Sequence, residues 1–311
     1  MDKTLVSVVV ITYNSSQYIG ETLDSILNQT YQDIELIISD DCSTDNTISI
    51  CENWIQKYST RFRDIKIIAA TRNAGIPANC NKGLASCKGD WIKLIAGDDI
   101  LTEDCIQANL AFVKLRGNED KLFVVSDMLS FLDWDYVVVE HVSAYNVNTF
   151  GETVDVKEQY QETLKGFFGN SPTFFVHKKV YEITTYDESY PFMEDYPFVL
   201  NALKNGIKIH YLKHETVRYR IRNNSAYNGD SQLIFPNFYL RQRIFDKKER
   251  LPNLSFNERM LENTIYYKKM FFDKFKLNSR KKVNIFIYKY SDVLNPFYIY
   301  YRLKNILNKY I

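Results

Sequence analysis

Asp40-Asp41 and Asp98-Asp99 are the residues whose type and spacing could do chemistry. Each pair follows an apolar run, residues 34–39 in one case and 91–96 in the other. Adjacent carboxylates repel, so a pair set in a crevice needs a cation or hydrogen-bond donors beside it. Hard oxygen ligands suit Mg2+ or Mn2+, ions that keep part of their water and bind phosphate as well. An ion at Asp98-Asp99 would neutralise a departing diphosphate. The plainer alternative is that Asp98-Asp99 only begins the turn into the next helix. Other chemistries lack their signatures. The chain has no Gly-x-x-x-x-Gly-Lys-Ser/Thr loop for P-loop phosphoryl transfer and no Gly-x-Gly-x-x-Gly after the first strand for a dinucleotide. It has no Gly-x-Ser-x-Gly elbow either. His141, His177, His210 and His214 lack zinc-ligand spacing and read as core or surface residues.

The elements that must position these acids alternate. Residues 5–13 form an apolar, β-branched run, the pattern of a buried parallel strand. The polar cluster Asn14-Ser15-Ser16 ends it, and Ile19, Leu23, Ile26 and Leu27 follow at helical spacing. Residues 34–39, 65–70 and 91–96 read as three more strands. Helices are expected after Ser43-Thr44-Asp45, over 76–87 behind Gly75 and Pro77, and after Thr102, with Glu103 and Asp104 in its first turn. This alternation implies an α/β fold, a mostly parallel central sheet flanked by helices. Ligands of such sheets sit beyond the carboxyl ends of the strands. Those ends are polar here: Tyr13-Asn14, Asp40-Asp41, Arg72-Asn73 and Gly97-Asp98-Asp99. Farther on, 122–131 and 136–142 read as a strand pair turning at Asp133-Trp134-Asp135, and 154–168 as a helix. Residues 173–176, 207–212 and 216–221 read as strands, and 195–205 as a helix with Pro197 in its first turn. From Ser231 the chain reads as helical, with a break at Pro296.

Composition excludes further classes. Of 311 residues, 45% are hydrophobic and 25% charged, an ordinary globular balance. The 46 Phe, Tyr and Trp residues exclude disorder as the dominant state. No window of about 18 residues is continuously apolar, which excludes a polytopic membrane protein. The apolar run near Met1 is short and lacks a small-residue cleavage site, so it does not read as a signal peptide. Cys42, Cys51, Cys80, Cys87 and Cys105 include no Cys-x-x-Cys pair and read as reduced, buried thiols of a cytoplasmic protein. Charge is uneven. Residues 231–311 carry 17 Lys/Arg against 6 Asp/Glu, a net +11, and the first 230 carry 22 against 32, a net −10. We therefore expect a domain over 1–230, divided at 118/119, and a basic, aromatic-rich helical extension over 231–311.

Five blocks carry a resemblance: SVVVITYN, ELIISDDCSTDNT, NAGIPANCNKGL, GDWIKLIAGDD and MEDY. In this order, through residues 5–226, they resemble the family 2 inverting glycosyltransferases of the GT-A fold, such as those building bacterial capsule or O-antigen polysaccharide. The resemblance implies a donor half over 1–118 and an acceptor half over 119–230. It implies that Thr12, Tyr13 and Asn14 lie against the nucleotide base and ribose, and that Asp40 accepts a hydrogen bond from uracil. Asn73, Gly75, Asn81 and Gly97 fall in the donor-side loops. Asp98 and Asp99 match the end of the metal motif, which implies Mn2+ or Mg2+ as cofactor. Glu194-Asp195 match the pair whose aspartate is the general base, and Tyr219-Arg220 resemble a motif that closes over the diphosphate.

The resemblance has departures. Ala96 stands where the metal motif usually begins with an acid, and Cys80 where many relatives carry arginine. The Gln-x-x-Arg-Trp motif of processive relatives is absent. The implied reaction moves a sugar from a nucleotide sugar, UDP-linked by family habit, to a hydroxyl of a glycan or lipid-linked oligosaccharide. It is a single in-line displacement with Asp195 as base; Asp195 could also cap the helix that starts near Pro197. An acceptor groove could be lined by Asn170-Ser171-Pro172 and the tyrosines of 181–196, unless those are core. The alternatives are an inactive nucleotide-sugar-binding module and a nucleotidyltransferase. A nucleic-acid partner is disfavoured by the acidic first domain. The basic extension leaves three readings open: peripheral contact with the inner face of the cell membrane, a homodimer interface, or docking on its own acidic domain.

Overall fold

The computed structural model describes residues 4–117, 122–133, 138–142, 147–166, 171–191, 193–222, 233–235, 240 and 242–307. The chain forms two compact units, residues 1–221 and 222–311.

The first unit is built on one nine-stranded sheet. Strands β1 (Val6–Thr12), β2 (Ile34–Asp40), β3 (Asp64–Ala69) and β4 (Trp91–Ala96) are mutually parallel, in the order β3-β2-β1-β4. Helices α1 (Ile19–Leu27), α2 (Thr47–Tyr58) and α3 (Ile76–Leu84) make the crossovers, and α4 (Cys105–Leu115) follows β4 and the two-residue β5 (Ile100–Leu101). The β-branched runs are unbroken because both sheet faces are covered. Side chains alternate across a strand, so Val6, Val8 and Val10 enter one core cluster with Ile19, Leu23 and Trp54. Val9 enters the other with Ile37, Leu94 and Phe198. Each such side chain, fully buried, contributes about 1.5–3 kcal/mol.

Beyond β4 the sheet turns mixed. It continues β4-β8-β6-β9-β5, with β6 (Phe123–Leu132), β8 (Phe175–His177) and β9 (Ile209–Ile221), and β7 (Val138–Val142) pairs β6. β8 is antiparallel to both neighbours, and β6 runs parallel to β9. Among the described residues this half holds four more helices: α5 (Val147–Phe150), α6 (Val156–Lys165), α7 (Lys178–Ile183) and α8 (Asp195–Lys204). Local readings fail here in three places. The two strands expected over 207–221 are one, because a register shift beside Ser126 and Asp127 absorbs the polar stretch Lys213-His214-Glu215 without ending the strand. The α7 helix was not anticipated. Glu103 and Asp104 precede α4 instead of occupying its first turn, with Thr102 Oγ1 donating to the Asp104 carboxylate. Residues 134–137, expected in the strand-pair turn, and Phe167 and Phe168 lie outside the described residues.

The second unit is helical, as its composition implied. Short turns (Arg243–Phe245, Asp246–Arg250, Leu251–Asn253) lead to α9 (Phe256–Lys274), whose start is fixed by a Ser255/Glu258 capping box. Helices α10 (Lys282–Tyr290) and α11 (Pro296–Leu307) follow, with Pro296 opening the last one. No described helix is long and apolar enough to cross a membrane.

Candidate active site

The parallel strands deliver their polar ends to one edge of the sheet, and four loops meet there. The first follows β1. Tyr13 is half exposed, while Thr12 is buried beneath it. Asn14 takes φ 49°, a left-handed conformation that asparagine tolerates. Its N–H donates to Ser43 Oγ at 2.8 Å, and its side-chain oxygen accepts from the Thr44 N–H at 2.8 Å. Ser16 N–H reaches Asp45 at 3.1 Å. The β1 and β2 loops are thus tied together. Partial burial opposes ionisation of Asp45, but hydrogen bonds from Thr47 and Ser16 outweigh it and pull its carboxyl down to about 2.

Asp40 and Asp41 serve different loops. Both are buried. Asp40 accepts from the Ser43 N–H at 2.8 Å and from the Ser43 hydroxyl. Asp41 accepts from the N–H groups of Ala74 and Gly75, at 2.9 and 2.8 Å, and so fixes the loop after β3. Gly75 has φ +92°, and a Cβ there would meet Pro191 at 3.3 Å. This close approach holds the β3 loop against the segment leading to Glu194. Lys82 Nζ donates to the Asp40 carbonyl at 2.6 Å. Sequence reasoning overlooked this cation, although it lies one residue beyond the expected Asn81.

Asn81 differs from its expected place against the nucleotide. Its amide nitrogen donates to the Tyr186 carbonyl at 2.8 Å and to Glu188 at 2.9 Å, and its oxygen accepts from the Tyr186 N–H at 3.1 Å. It clamps the stretch that leads into the acids. Asn73 is exposed at the loop tip.

The structure separates Asp98 from Asp99. Asp98 is half-buried at the end of β4. Asp99 is 1% exposed, and its Oδ1 accepts from the Arg220 N–H of β9 at 2.9 Å. The expectation that both acids face one ion is therefore corrected: in the turn after β4 the Asp99 carboxylate is buried and spent on the β9 backbone, while Asp98 stays half-buried. Gly97 lets the turn sit on the first loop, since a Cβ there would lie 3.0 Å from Thr12 Oγ1 and from Ile19.

Arg220 is also not where the resemblance put it. It is 2% exposed. Its Nε donates to the Asp98 carbonyl at 2.8 Å, and its two terminal nitrogens reach Asp133 at 3.0 Å and Glu21 at 2.6 Å. The guanidinium also lies over the rings of Tyr18 and Phe131, at 4.9 and 4.8 Å from their centroids. A cation so held supports the Asp98 backbone from behind and is not available to close over a diphosphate.

Glu194 and Asp195 stand at the start of α8, whose Pro197 supplies a compatible φ in the first turn. Glu194 takes the cap position without a side-chain cap bond, and Asp195 Oδ1 accepts from the Tyr196 N–H at 2.7 Å. Ser171 Oγ donates to Glu194 at 3.1 Å. Burial raises both carboxyls, and the Glu194 charge lifts Asp195 further, well above the ordinary carboxylate range. Behind them, Lys93 is fully buried in β4 and donates to the Pro172 carbonyl at 2.5 Å, next to Ser171. Burial lowers its ammonium. Tyr181, Tyr186, Tyr190 and Tyr196 are buried, Tyr181 and Tyr186 stacked with Phe198. They are core, not a groove wall. Asn170 lies outside the described residues.

The remaining candidates are structural. All five cysteines are free; Cys42 and Cys87 are half-buried and the other three buried. Burial first, then the charges of Arg116 and Lys208, lowers His210 to about 4. His214 pairs with Asp104 at 2.7 Å.

A divalent ion fits what is present. Among the described residues no three His, Cys, Asp or Glu side chains converge on a metal site. The half-buried Asp98 carboxylate is a hard oxygen donor, and ions of the Mg2+ type are commonly held by one or two carboxylates plus substrate phosphate and water.

Comparison with known proteins agrees with this architecture. Residues 7–119 match the family model described as Glycosyl transferase family 2. An uncharacterized glycosyltransferase, MJ1057 of Methanocaldococcus jannaschii, is 28% identical over 263 residues, 82% of this chain and 85% of its own length. The crystal structure of S. aureus TarS 1–349 in complex with UDP-GlcNAc aligns with TM-score 0.58 at 22% identity, over 86% of this chain and 72% of that one. The mannosyltransferase PcManGT from Pyrobaculum calidifontis, in complex with GDP-Man and Mn2+, aligns with TM-score 0.55 at 16% identity, over 80% of this chain and 64% of that one. Residues 7–119, which carry the strand-end acids in the order of those blocks, thus match glycosyl transferase family 2, and most of the chain is similar to proteins named as glycosyltransferases.

Proposed function

We propose that the chain moves a sugar from a nucleotide diphosphate sugar, UDP-linked, to a hydroxyl of a glycan or lipid-linked oligosaccharide, inverting the anomeric centre, with Asp195 as general base. The observation that carries this reading is the Glu194–Asp195 pair. An exposed carboxylate near pKa 4 is a poor base at neutral pH. Burial and the adjacent Glu194 charge raise the Asp195 carboxyl above the ordinary carboxylate range, the direction that makes its carboxylate a stronger base. The TarS and PcManGT complexes, which hold UDP-GlcNAc and GDP-Man, support a nucleotide sugar as donor.

The donor would lie over the ends of β1, β2 and β4, against Thr12, Tyr13, Asn14, Asp40, Asn73, Gly75 and Gly97. Asp195 takes the proton of the acceptor hydroxyl as its oxygen attacks the anomeric carbon. The new glycosidic bond forms on the face opposite the leaving group. The bond to the diphosphate breaks, and its electron pair leaves with the nucleotide. Asp98 would hold a Mn2+ or Mg2+ ion, which when bound supplies positive charge against the departing diphosphate. Ser171 and Lys93 hold the Glu194 side from behind. Free thiols suit a reducing compartment and support a cytoplasmic setting.

Calorimetric titration with UDP, with and without Mn2+, tests the donor site. We expect binding that strengthens with Mn2+ in the wild-type chain and loses that gain in Asp98→Ala. Asp195→Asn should bind UDP normally and abolish transfer from UDP-sugars. Equal loss of binding and turnover in Asp195→Asn would overturn the base assignment. No binding of any nucleotide diphosphate would favour an inactive module.

A further inference from the structure

The second unit carries an outer surface that its own fold does not use. Among the described residues, fifteen of the twenty exposed large hydrophobic side chains belong to residues 242–307. On α9 and at its C-cap, Tyr267, Phe271 and Phe275 repeat every four residues, each at least half exposed. On α10, Val283, Phe286 and Tyr290 repeat at helical spacing, 60%, 62% and 49% exposed. The inner sides of these helices are already satisfied. Phe272 packs edge-on against Tyr288, Lys268 binds Asp292 at 2.6 Å, and Asn295 donates to Thr264 at 2.7 Å. The exposed residues of 267–290 also include six Lys/Arg (Lys274, Lys276, Arg280, Lys281, Lys282, Lys289) against Asp273, a net +5.

We propose that this apolar, basic face docks on an anionic lipid bilayer. The occupant must be both apolar and negatively charged. A second copy meeting the same face would oppose +5 with +5 and be repelled. The acidic first 230 residues match the charge but not the apolar surface. Among their described residues the large exposed hydrophobics, Tyr13, Tyr58, Ile76, Leu115 and Ile183, each sit on a different loop or helix. A bilayer interface supplies acyl-chain boundary and anionic headgroups together. No described helix can span it, so the face lies on the membrane rather than through it. The inference stands apart from the sugar-transfer reading, since it uses none of its residues.

Sedimentation of the full chain with vesicles tests it. We expect co-sedimentation at low salt with vesicles of equimolar phosphatidylglycerol and phosphatidylcholine, loss of binding as salt rises, and little binding to phosphatidylcholine alone. A basic residue near an anionic surface contributes about a fivefold gain in partitioning, so the exposed triple variant Lys281→Gln, Lys282→Gln, Lys289→Gln should weaken binding about a hundredfold. Phe271→Ser and Phe286→Ser should each weaken it about tenfold or more. The salt series on the wild-type chain requires no variant to fold. Failure to sediment with anionic vesicles at low salt would overturn the proposal. So would equal binding to both compositions, or indifference to all three sets of changes. A dimer that Phe286→Ser dissociates, without vesicle binding, would assign the face to a second copy instead.

Discussion

Replacing Arg220 by methionine removes a buried cation whose partners come from three parts of the chain. The side chain is 1% exposed and contacts the Asp98 carbonyl, Asp133 and Glu21. Breaking a buried charge network by deleting one partner costs about 3–5 kcal/mol. Glu21 is 44% exposed and Asp133 20%, so both can regain water and the lower end applies, about 3 kcal/mol. For a domain of this size that lowers the melting midpoint by about 6–12 °C. The functional effect is separable. Arg220 supports the backbone of the proposed metal ligand, and loss of such outer support typically costs about 10–100-fold in metal affinity. We therefore expect folded Arg220→Met to bind UDP without Mn2+ as the wild type does, and to lose about 10–100-fold of the Mn2+-dependent gain. Arg220→Lys should recover part of the midpoint through its charge, but not the metal-dependent gain, because an ammonium cannot reproduce the guanidinium fork. Thermal melting and calorimetry on the three proteins read both effects. An unchanged Mn2+-dependent gain in Arg220→Met would refute the supporting role. A loss that is equal without Mn2+ would mean that Arg220 touches the nucleotide itself.

Three more outcomes follow from the site. Removing the neighbouring charge with Glu194→Gln should lower the pKa of Asp195, so the acid limb of kcat/KM against pH should move to lower pH; a limb that stays fixed would deny the coupling. Asn81→Ala should reduce kcat while leaving UDP affinity intact, because its amide holds Tyr186 and Glu188 just before the base; weaker UDP binding would restore it to the donor site. Gly97→Ala should cost about 1–3 kcal/mol in thermal or denaturant unfolding, since its Cβ would stand 3.0 Å from Thr12 and Ile19; an unchanged midpoint would show that the turn relaxes.

The parallel half of the sheet was legible because its signals are local. Unbroken β-branched runs, helical spacing of apolar residues and polar strand ends lie within a few residues of one another, and burial on both faces gives them one outcome. The motif blocks that set Asp40, Asp98 and Asp195 at the ends of elements are local in the same sense. Readings failed where a partner is remote. Asp99 faces inward to meet an amide 121 positions later, and Arg220 reaches back 199 positions to Glu21. Asn81 spends its amide on Tyr186, 105 positions away. The continuous β9 survives a polar interruption because β6 tolerates a shifted register beside it. The sequence by itself determined the layered α/β plan, the helical basic extension and the set of carboxylates available for chemistry. The tertiary structure decided that Asp99 turns inward while Asp98 stays half-buried, which cation is held inside, and that burial raises the Glu194–Asp195 pair. Facing, pairing and desolvation depend on atoms brought together from distant parts of the chain, and no periodicity or spacing records them.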